Sequence, residues 1–173
     1  DVGIAVALDS LGNIYVAGRS STRTYTTHKY TYGYFLRKYD SSGVSLWRDQ
    51  TSIYNSEDYI TGFGVTVDSS DNVYFTANKV LRKWTSSGTE QWTNTTSDWY
   101  VGLDGLGGMS KKDVIIDSSG NIYTAGNFSG ELDGNTSSGS TDIFLVKYNA
   151  SGTKQWTKHY GTSSDEQHRG LTV

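Results

Sequence analysis

The amino-acid sequence predicts an all-β fold built from repeated four-stranded antiparallel sheets. Aromatic residues make up 13% of the 173 residues and glycine accounts for 20, a composition that favours short strands and tight turns over helices. A pattern of two β-rich runs around an Asp or Asn turn recurs along most of the chain. Long units that recur in this way are typical of propellers and solenoids, so the repeat is the main structural signal.

The first half of each repeat predicts a β-hairpin. Short β-rich runs flank a turn that begins with Asp and ends with Asn, as Asp9 and Asn13 do in the first copy. Asp and Asn side chains accept backbone hydrogens in such turns, so we expect a structural role for them. The three copies span residues 3–18, 64–77 and 113–126.

The second half of each repeat predicts another hairpin. Its turn carries Gly43, Gly88 or Gly152 at the place where a bulged turn requires a left-handed backbone. The three copies span residues 34–47, 80–92 and 143–156. Two hairpins give one four-stranded antiparallel sheet, which is the blade of a β-propeller.

The repeats predict three full blades and the first strand of a fourth. We treat residues 1–173 as one module, with repeats at about 3–61, 62–106 and 107–168 and the start of the next at 169–173. A closed propeller needs about four to eight blades, so the module is expected to be incomplete or to be completed by a neighbouring chain. Either a longer polypeptide or a homo-oligomer joined by strand completion would meet this need.

Other features of the chain's layout agree with this reading. Two insertions, residues 20–33 and 128–142, lie between the hairpins, and we expect them to form loops that leave the sheets intact. The chain begins at Asp1 in place of Met, which is expected of a processed or truncated product. Its last residues repeat the strand predicted near residue 3, so both ends supply the same strand.

Several phrases of the sequence resemble a known repeat family. They are GNIYVAG at residues 12–18, DSSGNIYTAG at 117–126 and DIFLVKYNASGTKQW at 142–156. These phrases look like the SBBP-type repeats of bacterial and archaeal β-propellers. The resemblance covers nearly the whole chain and implies a propeller in a secreted or surface protein. It implies little about chemistry, because a fold does not fix a function.

Composition argues against several classes of partner and site. The net charge is −3, with 15 basic and 18 acidic residues mixed along the chain, so we expect no nucleic acid partner. No apolar run approaches the ~20 residues that cross a membrane, and we expect no membrane span. The absence of cysteine excludes disulfides, zinc-thiolate sites and thiol nucleophiles.

Aromatic residues offer two kinds of candidate contact. Trp47, Trp92 and Trp156 occupy equivalent places in the repeats, so we expect them to pack between neighbouring blades and not to bind sugar. Trp99 and Tyr100 lie in the irregular segment 97–110, where an exposed partner contact is more natural. The strand-completing contact is predicted at the end of the chain, at Gly170, Leu171, Thr172 and Val173.

An acidic loop in the third repeat is a candidate calcium site. Its oxygen ligands would be Glu131, Asp133, Asn135 and Asp142. The alternate spacing is similar to that of a calcium loop, but the loop lacks a glycine at the sixth place and the closing glutamate. Calcium is therefore one alternative here and no cofactor is the other.

The chain also carries sequence signals for an extracellular setting. Four Asn-X-Ser/Thr sequons are candidate glycosylation sites, at Asn94, Asn127, Asn135 and Asn149. They would be used only in a protein that meets a glycosylation system, and chance sequons are common in a chain rich in Ser and Thr. With the low charged fraction of 19%, they favour an extracellular or cell-surface location, where glycans are also candidate partners.

The sequence favours a non-enzyme. Its three histidines, His28, His159 and His168, form no metal-binding pattern, and neither a nucleophile elbow nor a phosphate loop is present. We therefore expect a scaffold that acts in structural assembly, as a surface layer, a filament-like oligomer or part of a larger surface protein. A carbohydrate- or protein-binding module is the alternative. A hydrolase or lyase with acidic residues near a propeller axis ranks third.

Overall fold

The structure is a computed structural model that describes residues 2–24, 29–53, 63–77, 80–95 and 113–172. All regular secondary structure in these ranges is β, which confirms the predicted all-β class. In the same ranges, no helix is long and apolar enough to cross a membrane. The strands form three four-stranded antiparallel sheets and one two-stranded hairpin.

Each repeat folds as one sheet made from two hairpins, as the sequence predicts. The first sheet has the order β1-β2-β3-β4, with strands Val2–Leu8, Ile14–Thr24, Lys29–Tyr39 and Ser45–Ile53. The second has the order β5-β6-β7-β8, with strands Gly64–Val67, Val73–Ala77, Val80–Trp84 and Glu90–Thr95. The third has the order β9-β10-β13-β14, with strands Asp113–Ile116, Ile122–Phe128, Asp142–Tyr148 and Lys154–Tyr160.

The two insertions are not simple loops, which corrects the prediction made for them. In residues 20–33, β2 and β3 continue as a paired ribbon until Thr24 lies opposite Lys29. In residues 128–142, the short strands β11 (Glu131–Leu132) and β12 (Asn135–Thr136) form a hairpin of their own. Residues 20–33 are rich in Thr and Tyr, which favour strands, so the pairing of β2 with β3 can continue beyond the sheet. Residues 128–142 are rich in Gly, Ser, Asp and Asn, which favour the tight turn of a hairpin.

The hairpin turns owe their shape to Asp and to a left-handed residue. In the first turn, the Asp9 amide donates to the Asn13 carbonyl at 3.0 Å and the Gly12 amide donates to the Asp9 carbonyl at 3.0 Å. Gly12 has φ of 75°, and Gly120 has 78° at the same place in the third sheet. Asp71 holds this place in the second sheet with φ of 61°, a conformation that Asp tolerates better than most residues.

Neighbouring sheets pack face to face in chain order. One core lies between the first and second sheets, where Tyr15 and Leu36 meet Val73, Phe75 and Trp84. A second core lies between the second and third sheets. All five residues of β6 are buried, because the second sheet has a neighbour on each face. The first strands also contact each other, β1 with β5 and β5 with β9.

A matched pair of glycine variants tests the packing between the first two sheets. Gly88 and Gly43 both have a left-handed backbone, with φ of 88° and 85°. A Cβ at Gly88 would lie 3.0 Å from the Trp47 ring of the first sheet, whereas a Cβ at Gly43 would meet nothing within 4 Å. Gly43→Ala is expected to cost about 1 kcal/mol of unfolding free energy, and Gly88→Ala roughly 2 kcal/mol, because it also displaces Trp47. Urea unfolding measures both, and equal losses would contradict the inferred contact.

Candidate functional site

Each sheet carries the same cluster of five side chains on one face. In the first sheet, Asp9 Oδ2 accepts hydrogen bonds from the Asn13 side-chain amide at 2.8 Å and from the Tyr15 hydroxyl at 3.4 Å. Lys38 Nζ lies 3.0 Å from the same carboxylate oxygen and 4.9 Å from the centre of the Tyr15 ring. Trp47 packs edge-on against Tyr15, with 5.9 Å between ring centroids.

The other two sheets repeat this cluster with similar tyrosine contacts, but the lysine lies farther from the carboxylate, at 3.9 Å for Lys83 and Asp68. The tyrosine hydroxyl donates to the Asp carboxylate at 3.0 Å in the second sheet and 3.1 Å in the third. The tyrosine and tryptophan rings are 6.1 Å and 6.2 Å apart. The members are Asp68, Asn72, Tyr74, Lys83 and Trp92 in the second sheet, and Asp117, Asn121, Tyr123, Lys147 and Trp156 in the third.

Strand register brings the cluster together from distant parts of the repeat. Tyr15 lies opposite Lys38 and Lys38 lies opposite Trp47, so their side chains form a row across three strands. The Asp carboxylate also closes its own turn by accepting backbone hydrogens. Asp9 Oδ1, for example, accepts hydrogen bonds from the backbone amides of Leu11 at 3.1 Å and of Asn13 at 2.8 Å. The predicted structural role of the turn Asp residues is thus confirmed.

Electrostatics differ among the three copies because their burial differs. Burial opposes the charge on Asp9, but hydrogen bonds from Asn13 and Lys38 outweigh it and hold the pKa of Asp9 at about 2. Burial likewise opposes the charge on Lys38, yet Tyr15 and Asp9 raise the Lys38 pKa above its ordinary value. In the third sheet, the hydrogen bond from Asn121 is the main cause of a lowered pKa at Asp117.

The tryptophans of the first two sheets cover turns of the following sheet. Trp47 Nε1 donates to the Ser86 carbonyl at 3.1 Å, and Lys38 Nζ donates to the same oxygen at 3.0 Å. Trp92 lies in the same way over Gly152, where an added Cβ would be 3.2 Å from its ring. For these two tryptophans, the prediction that they pack between neighbouring sheets is confirmed.

The third tryptophan has no following sheet to cover in the described part of the chain. Trp156 is 37% exposed and Tyr160, on the same side of β14, is 66% exposed. We define the third-sheet face as Tyr123, Lys147, Trp156, Lys158 and Tyr160. Among the residues that the structure describes, it carries the one copy of the repeated cluster that no neighbouring sheet covers.

The opposite face of the first sheet is also uncovered and is apolar. Val6 and Leu8 of β1 are 65% and 62% exposed, and Ile4, Val44 and Leu46 are 42%, 59% and 51% exposed. We define the first-sheet face as Ile4, Val6, Leu8, Val44 and Leu46. Large exposed apolar patches of this kind mark interaction sites. Beside them, the turn at Gly43 lies open, in contrast to the turns that Trp47 and Trp92 cover.

The sequence did not single out the first-sheet face as a contact surface. Its residues look like ordinary strand residues when each repeat is considered alone. Alignment of the repeats carries the missing signal, because Ile4, Val6 and Leu8 correspond to Phe63, Val65 and Val67. Those three pack in the core between the first two sheets, so their counterparts in the first repeat lack a neighbouring sheet.

The candidate calcium ligands all engage other groups of the protein or face solvent. The buried carboxylate of Asp142 accepts the amides of Ser138 at 2.9 Å and Gly139 at 3.3 Å. Asp133 accepts from Lys154 and Thr157, and Asn135 donates to two carbonyls of its own hairpin. Glu131 is exposed. The described residues contain no group of three or more metal-ligating side chains, so calcium binding stays a prediction.

Three of the four sequon asparagines use their side-chain nitrogen within the protein. Asn94 donates to the Gly152 carbonyl at 2.9 Å, Asn127 to the Glu166 carbonyl at 2.7 Å and Asn135 to the Leu132 carbonyl at 3.2 Å. Asn149 instead accepts turn hydrogens through its oxygen. Asn149 is thus the sequon best placed for modification, and glycosylation itself stays a prediction.

The predicted contact residues at the end of the chain form no strand in the described segment. Gly170, Leu171 and Thr172 follow an irregular stretch that His168 fixes to the third sheet. The His168 ring nitrogen lies 3.0 Å from the Asp113 carboxylate, and its amide donates to Asn127 Oδ1 at 3.0 Å. Trp99, Tyr100 and Val173 lie outside the described residues.

Comparison with known proteins gives no functional assignment. No family model matches the chain, and no curated protein matches it. Among solved structures, it is similar to a crystal structure of a protein of unknown function from Bacteroides caccae, with 9% identity and a TM-score of 0.37. That similarity covers 94% of this chain and 85% of the other. At this level, neither a fold nor an activity is transferred.

The buried Asp9–Lys38 pair predicts a pH-dependent stability. Asp9→Asn is expected to lower the unfolding free energy at neutral pH by roughly 3 kcal/mol, because Lys38 stays buried without its carboxylate. The Asp9 carboxylate stabilises the fold fully above about pH 4, and this effect is lost as the pH falls towards 2, where the folded chain takes up the proton. Urea unfolding at several pH values measures the loss.

Asp117→Asn is the matched control for this prediction. Asp117 occupies the same place in the third sheet, but no ion pair to it is found in the described ranges. Its substitution is expected to cost clearly less at neutral pH than the Asp9 substitution. Equal losses in the two variants would show that the ion pair adds nothing to the turn.

Proposed function

We propose that this chain is a non-catalytic structural module of the β-propeller type, which acts by assembly at an extracellular or cell-surface location. One observation carries the proposal. The chain makes the same interface between sheets twice, and both halves of a third such interface lie uncovered on its outer sheets. Because the equivalent faces inside the chain are covered by a neighbouring sheet, these two uncovered faces support a function in association.

The propeller arrangement is supported by how the sheets meet. Each sheet is four-stranded and antiparallel, and the first strands of neighbouring sheets lie beside each other. First strands that gather around an axis are the arrangement of propeller blades. Because about four to eight blades are needed for closure, a unit of three sheets would require further sheets from elsewhere.

A non-catalytic role is supported by what the repeated polar residues do. Asp9, Asp68 and Asp117 each accept two backbone amides and a tyrosine hydroxyl, so their carboxylates hold the fold together. Lys38 is buried against Asp9 and the Ser86 carbonyl. Catalytic acids and bases lie in a cleft that is open to a substrate. These Asp and Lys residues instead recur once in each sheet and hydrogen-bond to the fold itself.

The chain offers two routes to assembly. Strand completion by residues 170–173 was expected from the sequence, and the structure places 170–172 in no strand. Stacking of sheet faces uses surfaces whose side chains are already positioned, so it is the better-supported route. An extracellular location is favoured by the SBBP-like phrases and by the Asn149 sequon, which lies in a surface turn.

Carbohydrate binding is the second candidate function. Trp156 and Tyr160 expose aromatic rings on one side of β14, and flat rings of this kind stack on sugar faces. The same exposure is expected if these rings await a protein partner. The two functions differ in what they require of the first sheet, since sugar binding at Trp156 needs no apolar surface there.

Light scattering over a range of concentrations tests the proposed function. We expect the average mass to rise with concentration above that of one chain, because each uncovered face loses apolar exposure on association. A folded monomer at every concentration would argue against assembly. Titration of a glycan panel with Trp fluorescence as the readout supplies the competing arm, in which saturable quenching by a monomer would favour the carbohydrate-binding module.

A further inference from the structure

We propose that the third-sheet face of one copy binds the first-sheet face of a second copy, so that chains associate head to tail. This inference rests on the proposed assembly function and names its partner and contact surfaces. It follows from a comparison of the two uncovered faces with the two interfaces that the chain forms internally.

The first-sheet face matches surfaces that receive a preceding sheet. Val65 and Val67 of the second sheet pack against the first sheet, and Val114 and Ile116 of the third pack against the second. Val6 and Leu8 are their counterparts in the first sheet. These residues have the same position and chemistry, but no sheet of the described chain covers them.

The third-sheet face matches surfaces that cover a following sheet. Trp47 and Trp92 each lie over the glycine of the next sheet's second turn, Gly88 and Gly152. Trp156 is their counterpart and has no such turn beneath it in the described residues. Gly43 is the counterpart of the covered glycines and has no atom within 4 Å of an added Cβ. Trp156 of one copy is therefore expected to cover the Gly43 turn of the next.

Polar groups give this contact a defined register. Within the chain, Lys38 and Trp47 both donate to the Ser86 carbonyl of the neighbouring turn. The equivalent donors on the third-sheet face are Lys147 and Trp156, and the equivalent acceptor is the carbonyl of Ser41. By analogy with the first internal interface, both donors are expected to reach this carbonyl across the contact between copies. At the second internal interface, the polar contact is instead the hydrogen bond that Asn94 donates to the Gly152 carbonyl.

A second copy fits these faces better than a glycan does. The first-sheet face is formed by branched aliphatic residues, which pack against a sheet but offer sugars neither a flat ring nor a hydrogen bond. A glycan would also leave the first-sheet face uncovered. The two faces differ from each other, so the contact is heterologous and leads to a ring or to a filament.

Sedimentation of single variants of the full chain tests the proposal. Val6→Glu blocks the first-sheet face and Trp156→Glu blocks the third-sheet face, with Tyr160→Glu as a second block at a more exposed position. Each is expected to weaken self-association at least tenfold. Gln155→Glu, which adds the same charge on the other side of β14, is the control and should associate like the unchanged chain. Unfolding curves confirm that each variant folds.

A mixture of the two blocked variants tests the polarity of the contact. Val6→Glu keeps a working third-sheet face and Trp156→Glu keeps a working first-sheet face, so the mixture is expected to form a heterodimer and nothing larger. Association that persists in every variant would overturn the head-to-tail contact and leave the assembly function standing. An unchanged chain that stays monomeric at all concentrations and salt levels would overturn both.

Discussion

The described sheets bury their apolar side chains by packing on one another, so each face that carries such side chains needs a neighbouring sheet. The second sheet meets that need within the chain, which is why all of β6 is buried, from Val73 to Ala77. In the described residues, the first and third sheets are covered by a neighbouring sheet on one face only. The repeat itself does not limit the number of stacked sheets, because each added repeat would cover one face and expose another of the same kind. In the proposed assembly, stability and association would depend on the same kind of contact.

The polar cluster is what allows such a sheet to stack in one register. A purely apolar face can slide over its partner, since apolar packing has little directionality. The hydrogen bonds that Lys38 and Trp47 donate to the Ser86 carbonyl can form in only one alignment of the first sheet on the second. The buried Lys38–Asp9 pair also holds the Lys38 ammonium beside the Ser86 carbonyl and so helps to fix this alignment.

Much of this arrangement could be predicted from the sequence, and the reason is local. Asp9, Asn13 and Gly12 specify a turn by themselves, and the alternation of apolar residues beside them specifies strands. The ribbon formed by residues 20–33 was missed because an insertion between repeats looks like a loop when it is judged by spacing alone. The exposure of Val6 was missed because it depends on a neighbouring sheet that the sequence of one repeat cannot reveal.

The direction of assembly follows from the order of strands in each sheet. The first two clusters lie on the face that meets the following sheet, since Tyr15 and Tyr74 both contribute to the core on that side. A stack built this way has a covering end, with Trp156, and a receiving end, with Val6 and Leu8. Two third-sheet faces are not expected to pair, because Trp156 of one copy would lie against Trp156 of the other and not against the open turn at Gly43. In the proposed assembly, the repeat itself would therefore set the polarity, and each added chain would keep the same orientation.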